Sequence, residues 1–281
     1  MRTAKINLAL KAIPPTTREV AAVYDSMADS YDNISSEPFY VNQYRAYENM
    51  FRRHLDKNFE TALDLGSGTG IFSEKLATRA NRVVGIDISK NLLEKAKNKC
   101  AHYSNVEFLE ASATNIPFAQ AEFDVIISFG ETISHIQDYL QVFSEVSRVL
   151  RPNGLFVFSV LNKWCLRLLY SSSELKSAIR SRAGYWRVWN CEDDSGAATR
   201  LPLKTFTHSE IGQLSKKSGL HITDSCGIHI TSLIVPLTFQ KRPDSACAKL
   251  FSLLGSFDEK VAQHEPFFRL GYTCIYAARK E

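Results

Sequence analysis

Residues 19–56 carry apolar side chains at the period of a helix. The apolar positions of the first stretch are Val20, Val23, Tyr24, Met27 and Tyr31. This spacing predicts an amphipathic helix from Glu19, and a second helix is predicted over 42–56. Residues 1–18 show little pattern and contain Pro14-Pro15, so we expect a flexible arm there.

Between residues 60 and 160, short apolar runs alternate with amphipathic stretches. The apolar runs predict five strands, at 61–65, 83–89, 105–112, 123–130 and 155–162. The stretches between them predict helices over 71–80, 90–102 and 139–150, the last of which ends at Arg151-Pro152-Asn153-Gly154. Strands and helices that alternate with short connections predict an α/β fold, with a doubly wound parallel sheet and helices on both faces.

This alternation stops after the fifth strand. Residues 161–206 show no regular pattern, whereas 208–219 predict a helix and 220–230 predict a sixth strand. Residues 231–268 are ambiguous apart from a helix near 245–263, and 271–280 predict a seventh strand. We therefore predict seven strands, with an insertion between the fifth and the sixth.

The composition is that of an ordinary folded protein, with 44% hydrophobic and 23% charged residues among 281. A net charge of +4 is too small to indicate a nucleic-acid partner. No apolar run approaches the roughly 18 residues of a membrane-spanning helix, and the first residues lack a signal-peptide core. We therefore expect a cytoplasmic protein without membrane insertion. Its six cysteines show neither paired nor metal-ligand spacing, so we expect reduced thiols and no metal site.

A glycine-rich turn follows the first predicted strand. The chain there is Asp64-Leu65-Gly66-Ser67-Gly68-Thr69-Gly70. Glycines let the backbone approach a ligand closely, and the next helix presents unpaired N–H groups. The second strand ends at Asp87, 17 positions after Gly70, where a carboxylate can bind a ribose diol. Together these features predict a nucleoside-containing cofactor. Ile71 stands where the dinucleotide fingerprint requires its third glycine.

The spacing of this turn resembles the first motif of class I S-adenosylmethionine-dependent methyltransferases of the small-molecule type, over about residues 20–160. The resemblance implies S-adenosyl-L-methionine as cofactor and S-adenosyl-L-homocysteine as product. It also implies a Rossmann-like, mostly parallel sheet of seven strands whose last strand, GYTCIYAARK, is antiparallel. A single methyltransferase domain would span residues 19–281. Its parts would be a helical cap at 19–58, a cofactor-binding half at 60–160, a substrate lid at 161–206 and a C-terminal half at 207–281.

The same resemblance implies roles for single residues around the cofactor. Those expected to contact it are Tyr31, Asp64, Gly66, Ser67, Gly68, Gly70, Asp87, Ile88, Ser112, Ala113 and Phe129. Asp64 and the glycine turn would hold the methionine end, Asp87 the ribose and Ile88 the adenine. Ser112 stands where the family commonly has an acid that bonds the adenine amino group. Tyr31 would lie nearest the methionine moiety, although it also fits the apolar stripe of a docked helix.

The segment FGETISHIQD follows the fourth strand, whose carboxyl end faces the reacting centre in this fold. Glu131 and His135 are four residues apart and can share one face of a turn. His135 is a candidate base for removing a proton from the acceptor. Glu131 is a candidate ligand for the acceptor or for the cofactor's amine. The alternative for His135 is a hydrogen-bonded structural role.

The insertion at 161–206 holds all three tryptophans and a net charge of +4, from eight Lys and Arg against four acids. Placed after the fifth strand, it can fold over the methyl group as a substrate lid. An aromatic and cationic pocket would suit an acceptor that is partly apolar and partly anionic. The substrate-binding candidates are Tyr24, Trp164, Trp186 and Arg187. A solvated basic helix with packed tryptophans fits this composition equally well.

The function that these features favour is methyl transfer from S-adenosylmethionine to a small molecule. A protein or RNA methyltransferase is the alternative enzyme. The sequence lacks the Asn-Pro-Pro-Tyr and Asp-Pro-Pro-Tyr tetrapeptides and the Pro-Cys pair found in several such enzymes. A non-catalytic protein that binds the cofactor is the third alternative. Residues 231–268 are a candidate homodimer interface.

Overall fold

The computed structural model describes residues 15–170, 175–176, 178–179, 186–235 and 246–281. The α-helices with bounds in these ranges are α1 (Thr17–Ser26), α2 (Pro38–His54), α3 (Ile71–Ala77), α4 (Lys90–Lys99), α5 (Tyr139–Val149), α6 (His208–Lys217) and α7 (Ala246–Val261). The strands are β1 (Phe59–Leu65), β2 (Ala80–Asp87), β3 (Val106–Glu110), β4 (Phe123–Ser128), β5 (Leu150–Asn162), β6 (Trp186–Glu192), β7 (Ala198–Phe206), β8 (Leu220–Ile228) and β9 (Thr273–Lys280). Most of the arm predicted at 1–18 lies outside the described residues.

The first five strands are parallel and lie side by side in the order β3-β2-β1-β4-β5. β9 runs antiparallel to β5, and β8 pairs antiparallel with β9. The predicted Rossmann-like fold with an antiparallel last strand is therefore confirmed. None of the helices described here is both long and apolar enough to cross a membrane.

Alternate side chains of each strand enter two separate hydrophobic cores, one on each face of the sheet. Leu63 and Leu65 of β1 point into a core shared with α5 and α6. Ala62, just before Leu63, points to the opposite face, into a core shared with α2 and α3. This alternation with period two is the geometry of a pleated strand buried on both faces. It explains why these strands read as continuous apolar runs.

The sheet also contains a hairpin, β6–β7, which the sequence did not predict inside 161–206. β6 pairs antiparallel with β7, and the end of β7 lies parallel to the end of β5. The inward positions of the hairpin include two cations, Arg187 and Lys204, which are 7% and 2% exposed. The Lys204 ammonium lies over the Phe206 ring and donates to the Glu210 carboxylate. Because charged residues occupy buried positions here, the apolar alternation typical of a strand is limited to Leu201 and Leu203.

The tip of this hairpin is hydrogen-bonded to the end of α1 and to the residues that directly follow it. Both oxygens of the Asp194 carboxylate accept bonds of 2.9 Å, from the backbone N–H groups of Asp29 and Ser30. The Asp194 N–H donates to the Ser26 carbonyl oxygen. In a longer α1, the N–H groups of Asp29 and Ser30 and the carbonyl oxygen of Ser26 would form hydrogen bonds within the helix. The contacts with the hairpin tip explain why α1 ends at Ser26 and why Tyr31 lies in a separate 3₁₀ helix, although the sequence predicted one helix through both.

We predict that Asn162→Ala destabilises the protein by about 2–4 kcal/mol, because it leaves buried backbone groups without partners. Asn162 is 1% exposed, and its amide donates to the carbonyl oxygens of Arg269 and Gly271 at 2.7 and 2.8 Å. The measurement is urea unfolding of the variant and the wild type. Asn190→Ala, at an exposed position of β6, is the control and should leave the midpoint unchanged. Equal stability of the two variants would contradict the role given to Asn162.

Candidate active site

The carboxyl ends of β1, β2 and β4 open into a cavity of about 570 Å³. Many of the residues singled out from the sequence line it: Tyr24, Tyr31, Gly66, Gly68, Asp87, Ile88, Ser112, Ala113, Phe129 and His135. The cavity is the size of an ordinary small-molecule site. The predicted site residues therefore meet in one place, at the edge of the sheet where this fold binds ligands.

The glycine turn after β1 brings the backbone to the cavity wall. Gly66 and Gly68 have φ angles of +78° and +51°, a region that favours glycine. A Cβ atom on Gly66 would lie 2.4 Å from the Thr132 side chain. A Cβ atom on Gly68 would meet only Tyr31, at 3.9 Å. The space beside Gly66 is thus filled by Thr132, whereas the space beside Gly68 can admit a ligand.

Asp87 ends β2 beside this turn. Its Oδ2 accepts a hydrogen bond of 2.8 Å from the Gly68 N–H, and its Oδ1 accepts one of 2.9 Å from the Ser89 N–H. Burial raises the pKa of the carboxyl, and these backbone donors offset part of the rise. Each oxygen has a further lone pair, so the carboxylate can accept two hydrogen bonds from a ribose diol.

Asp64, Ser67 and Gly70 belong to the glycine-rich segment but are not part of the cavity wall. Asp64 is 2% exposed, and its Oδ2 accepts a hydrogen bond of 2.6 Å from the Ser73 hydroxyl. Burial raises the pKa of this carboxyl to about 7. The observed partner of Asp64 is the first turn of α3, and its role towards the methionine end stays a prediction.

The far end of the cavity is formed by Ile88, Ala111, Ser112, Ala113 and Thr114. The Ser112 hydroxyl lies 2.8 Å from the Thr114 hydroxyl. A pair of hydroxyls thus stands where the family commonly has one acid. Sequence reasoning missed Thr114, because only the position that matches the family's acid was considered.

Tyr24 and His135 meet on the cavity wall although they are 111 positions apart in the chain. The Tyr24 hydroxyl lies 3.0 Å from the His135 Nε2. Burial lowers the pKa of His135 to about 4 and raises that of Tyr24 well above its usual range. Both groups are therefore neutral near pH 7. Trp189 packs 6.1 Å from the Tyr24 ring and 6.3 Å from the His135 ring, between ring centroids.

Glu131 stands directly after the cavity-lining Gly130, with its carboxylate bonded to α2. Its Oε1 accepts hydrogen bonds of 2.6 Å from the Gln43 amide and 2.9 Å from the Tyr47 hydroxyl. Its N–H donates to the Ser159 hydroxyl. Burial raises the pKa of this carboxyl. Gln43 and Tyr47 were not identified from the sequence. They could have been recognised as two polar groups four positions apart, on one face of a predicted helix.

Two candidates from the predicted lid, Arg187 and Trp164, are not part of the cavity wall. The Arg187 guanidinium is 4.5 Å from the Tyr272 ring centroid and 3.5 Å from the Cys165 sulfur. Trp164 is 43% exposed. The side chain of Trp186 lies outside the described structure. Of the four substrate-binding candidates, the structure thus brings Tyr24 to the cavity, and the roles of the other three stay predictions.

Together these groups fit S-adenosylmethionine. A carboxylate with free lone pairs suits the ribose diol, an apolar wall at Ile88 suits the adenine, and the open backbone at Gly68 admits a close approach.

Comparison with known proteins agrees with this reading. Residues 63–158 match a family model described as a methyltransferase domain. The uncharacterized protein MJ1252 of Methanocaldococcus jannaschii is 31% identical over 216 residues, which cover 74% of this chain and 79% of that protein. A demethylmenaquinone methyltransferase of Staphylococcus haemolyticus is 34% identical over 138 residues. That match covers 45% of this chain and 57% of the relative's own length.

Among solved structures, the cyclase SpnF matches with a TM-score of 0.62 at 16% identity, over 95% of this chain and 97% of that one. At this identity the likeness shows the fold alone. The family assignment comes instead from the matched domain and from the site around Asp87. The chain belongs to the class I S-adenosylmethionine-dependent methyltransferases, and S-adenosyl-L-methionine is its cofactor.

Proposed function

We propose that this enzyme transfers the methyl group of S-adenosylmethionine to a small-molecule acceptor held beneath α1 and the β6–β7 hairpin. The observation that carries the proposal is the Tyr24–His135 pair, which lies on the wall of the same cavity as Asp87. The hairpin is fastened to the end of α1 through Asp194, so the site is covered on the side of the pair. Such a cover suits a small acceptor better than a polymer chain.

The relatives support this choice of acceptor class. One of them is named for its action on demethylmenaquinone, which is a small molecule. The alternatives are a protein or RNA acceptor and a non-catalytic protein that binds the cofactor. The anionic character predicted for the acceptor rests on the composition of 161–206 and stays a prediction.

When bound, the cofactor supplies an electrophilic methyl group on a sulfonium. Asp87 would bind the ribose hydroxyls and Ile88 would pack on the adenine; both line the same cavity as Tyr24 and His135. In-line positioning and exclusion of water supply most of what methyl transfer needs. Trp189, packed against both members of the pair, keeps water from them.

For an acceptor that loses a proton on methylation, the pair provides a path. The acceptor's proton passes to the Tyr24 oxygen, and the Tyr24 proton passes to the His135 Nε2. This step requires the His135 tautomer with its proton on Nδ1. Because burial lowers the pKa of His135 to about 4, its imidazole is unprotonated near pH 7; the same low pKa makes it a weak base, so it gives the proton up readily after the transfer.

Asp87→Ala is expected to raise the Kd for S-adenosylhomocysteine at least about 100-fold. The variant loses two charge-assisted hydrogen bonds, each worth about 1.5–3 kcal/mol. Isothermal titration calorimetry gives the Kd, and thermal unfolding checks that the variant folds. Glu110→Ala removes the exposed carboxylate opposite Asp87 in the β2–β3 register and should bind normally. If Asp87→Ala bound S-adenosylhomocysteine with the wild-type Kd, the assignment of Asp87 to the ribose would be wrong.

Incubation with methyl-labelled S-adenosylmethionine and a fractionated cell extract tests the acceptor class. We expect label in the small-molecule fraction, because the covered cavity admits a compact acceptor. Mass spectrometry of that fraction identifies the methylated compound, and Asp87→Ala is the negative control. Label in protein or RNA would favour the macromolecular alternative. A bound cofactor with no label in any fraction would favour the non-catalytic one.

Tyr24→Phe should slow methyl transfer to the identified acceptor by about 100-fold or more, the usual contribution of a positioned proton-transfer group. The Kd for S-adenosylhomocysteine should stay within twofold of the wild-type value, since the ring is retained. Single-turnover rates at saturating cofactor give the comparison. Tyr103→Phe, in the loop after α4, is the matched control. An unchanged rate in Tyr24→Phe would remove Tyr24 from the proton path.

A further inference from the structure

We infer that the acceptor carries a protonated amine, which binds to the Glu131 carboxylate among the tyrosines of the cap. The juxtaposition behind this inference is a buried carboxylate that is bonded to the Tyr47 hydroxyl, has no ionic partner among the described residues, and stands in the chain between two residues of the cavity wall, Gly130 and Thr132. The inference rests on the proposed function, because it names the chemical class of that acceptor.

The carboxylate lacks a counter-charge. Among the described residues, no Lys, Arg or His forms an ion pair with Glu131, and the side chains that donate to it, Gln43, Tyr47 and Thr273, are neutral. Protein atoms surround the group closely enough for burial to raise its pKa, yet the residue keeps some accessible surface. Its neighbours in the chain, Gly130 and Thr132, line the cofactor cavity, and Glu131 lies between them just behind the wall. An ionised carboxylate removed from water is costly unless it is paired, so a cationic ligand would complete the site.

Tyrosines of the cap lie near this carboxylate: the Tyr47 hydroxyl donates to it, and the Tyr44 ring is 6.3 Å from the Tyr47 ring between centroids. After burial, the Glu131 charge is among the causes that raise the pKa of Tyr31, Tyr40 and Tyr44, so all three lie within its field. Each of these tyrosines keeps a partly exposed surface. Ring faces attract organic cations, and a carboxylate accepts their N–H groups. A carboxylate among tyrosine rings is therefore chemistry that recognises an ammonium group.

The backbone at Glu131 supports a functional reason for this residue. Gly130 and Glu131 both have left-handed φ angles, +71° and +57°, which is uncommon for a residue with a long side chain. Such strain costs on the order of 1–3 kcal/mol and occurs preferentially at binding sites. If the turn alone mattered, glycine or asparagine would form it at lower cost.

The charges around the catalytic pair agree in sign with this inference. After burial, the charged side chains that raise the pKa of Tyr24 are Asp87 and Glu131, both carboxylates. Arg187, the cation on which the anionic acceptor was predicted, packs instead on Tyr272 and Cys165. The surroundings of Tyr24 thus favour a cationic group on the acceptor, the opposite of what the composition of 161–206 indicates.

The test measures ligand binding to the protein saturated with S-adenosylhomocysteine, so it needs no turnover. The probes are three primary amines of increasing size, methylamine, ethanolamine and benzylamine, each with a matched alcohol and a matched carboxylate. Calorimetric titration gives the Kd of each probe. We expect at least one amine to bind at least tenfold more tightly than its alcohol and its carboxylate.

Glu131→Gln should abolish this preference for the amine and leave the Kd for S-adenosylhomocysteine within twofold. The amide keeps the shape and the acceptor oxygen, so the fold is retained, which thermal unfolding verifies. Glu37→Gln removes an exposed carboxylate at the start of α2 and should change nothing. Gln43→Leu removes a donor to Glu131 but keeps its charge, and should preserve the preference for the amine. If Glu131 had only a structural role, Gln43→Leu and Glu131→Gln would change the preference for the amine to the same extent.

Three results would overturn the inference. The first is that no amine binds or that the carboxylates bind best, and the second is that Glu131→Gln keeps the amine preference. The third is an equal loss of S-adenosylhomocysteine and amine binding in Glu131→Gln, which would assign the carboxylate to the cofactor's own amine. Label found in protein or RNA would instead contradict the small-molecule proposal, so the two failures are distinguishable.

Discussion

The hydrogen bond between the Gly68 N–H and the Asp87 carboxylate joins the ends of two neighbouring parallel strands, and the site is organised around it. It fixes the glycine turn against β2, so that the turn cannot close over the cavity. The other oxygen of Asp87 holds the start of α4 through the Ser89 N–H, and the Ser89 hydroxyl in turn donates to Asp25 of α1. One carboxylate thus connects the sheet, the turn and the helix that covers them.

The sequence was sufficient for the parts of this arrangement that depend on local pattern. The buried runs of β1 to β5, the glycine turn and the carboxylate at the end of β2 can each be recognised within a few residues, because their conformation is dictated by neighbours in the chain. Ser112 could likewise be placed by its position after β3. These residues make up most of the cofactor half of the cavity.

The parts that escaped prediction depend on partners far away in the chain. Tyr24 and His135 were each singled out, but their hydrogen bond across 111 positions could not be read from spacing. The β6–β7 hairpin was hidden because Arg187 and Lys204 occupy buried positions, where a strand pattern leads one to expect apolar side chains. The early end of α1 was hidden for a related reason, since Asp194 of that hairpin takes over its backbone N–H groups.

The attachment of the hairpin to α1 also bears on the order in which the molecule folds and opens. Asp194 and Asp29 are 165 positions apart, so closing this contact carries a large loop entropy and belongs to a late step of folding. At the hairpin tip the contact consists of three hydrogen bonds at the surface, whereas deeper down Val20 of α1 packs with Leu201 and Leu203 of β7 in a hydrophobic cluster. Breaking the three surface hydrogen bonds costs a small fraction of the global unfolding free energy. Amide exchange at Asp29 and Ser30 therefore reports local opening at the hairpin tip, which can precede separation of the cluster beneath it.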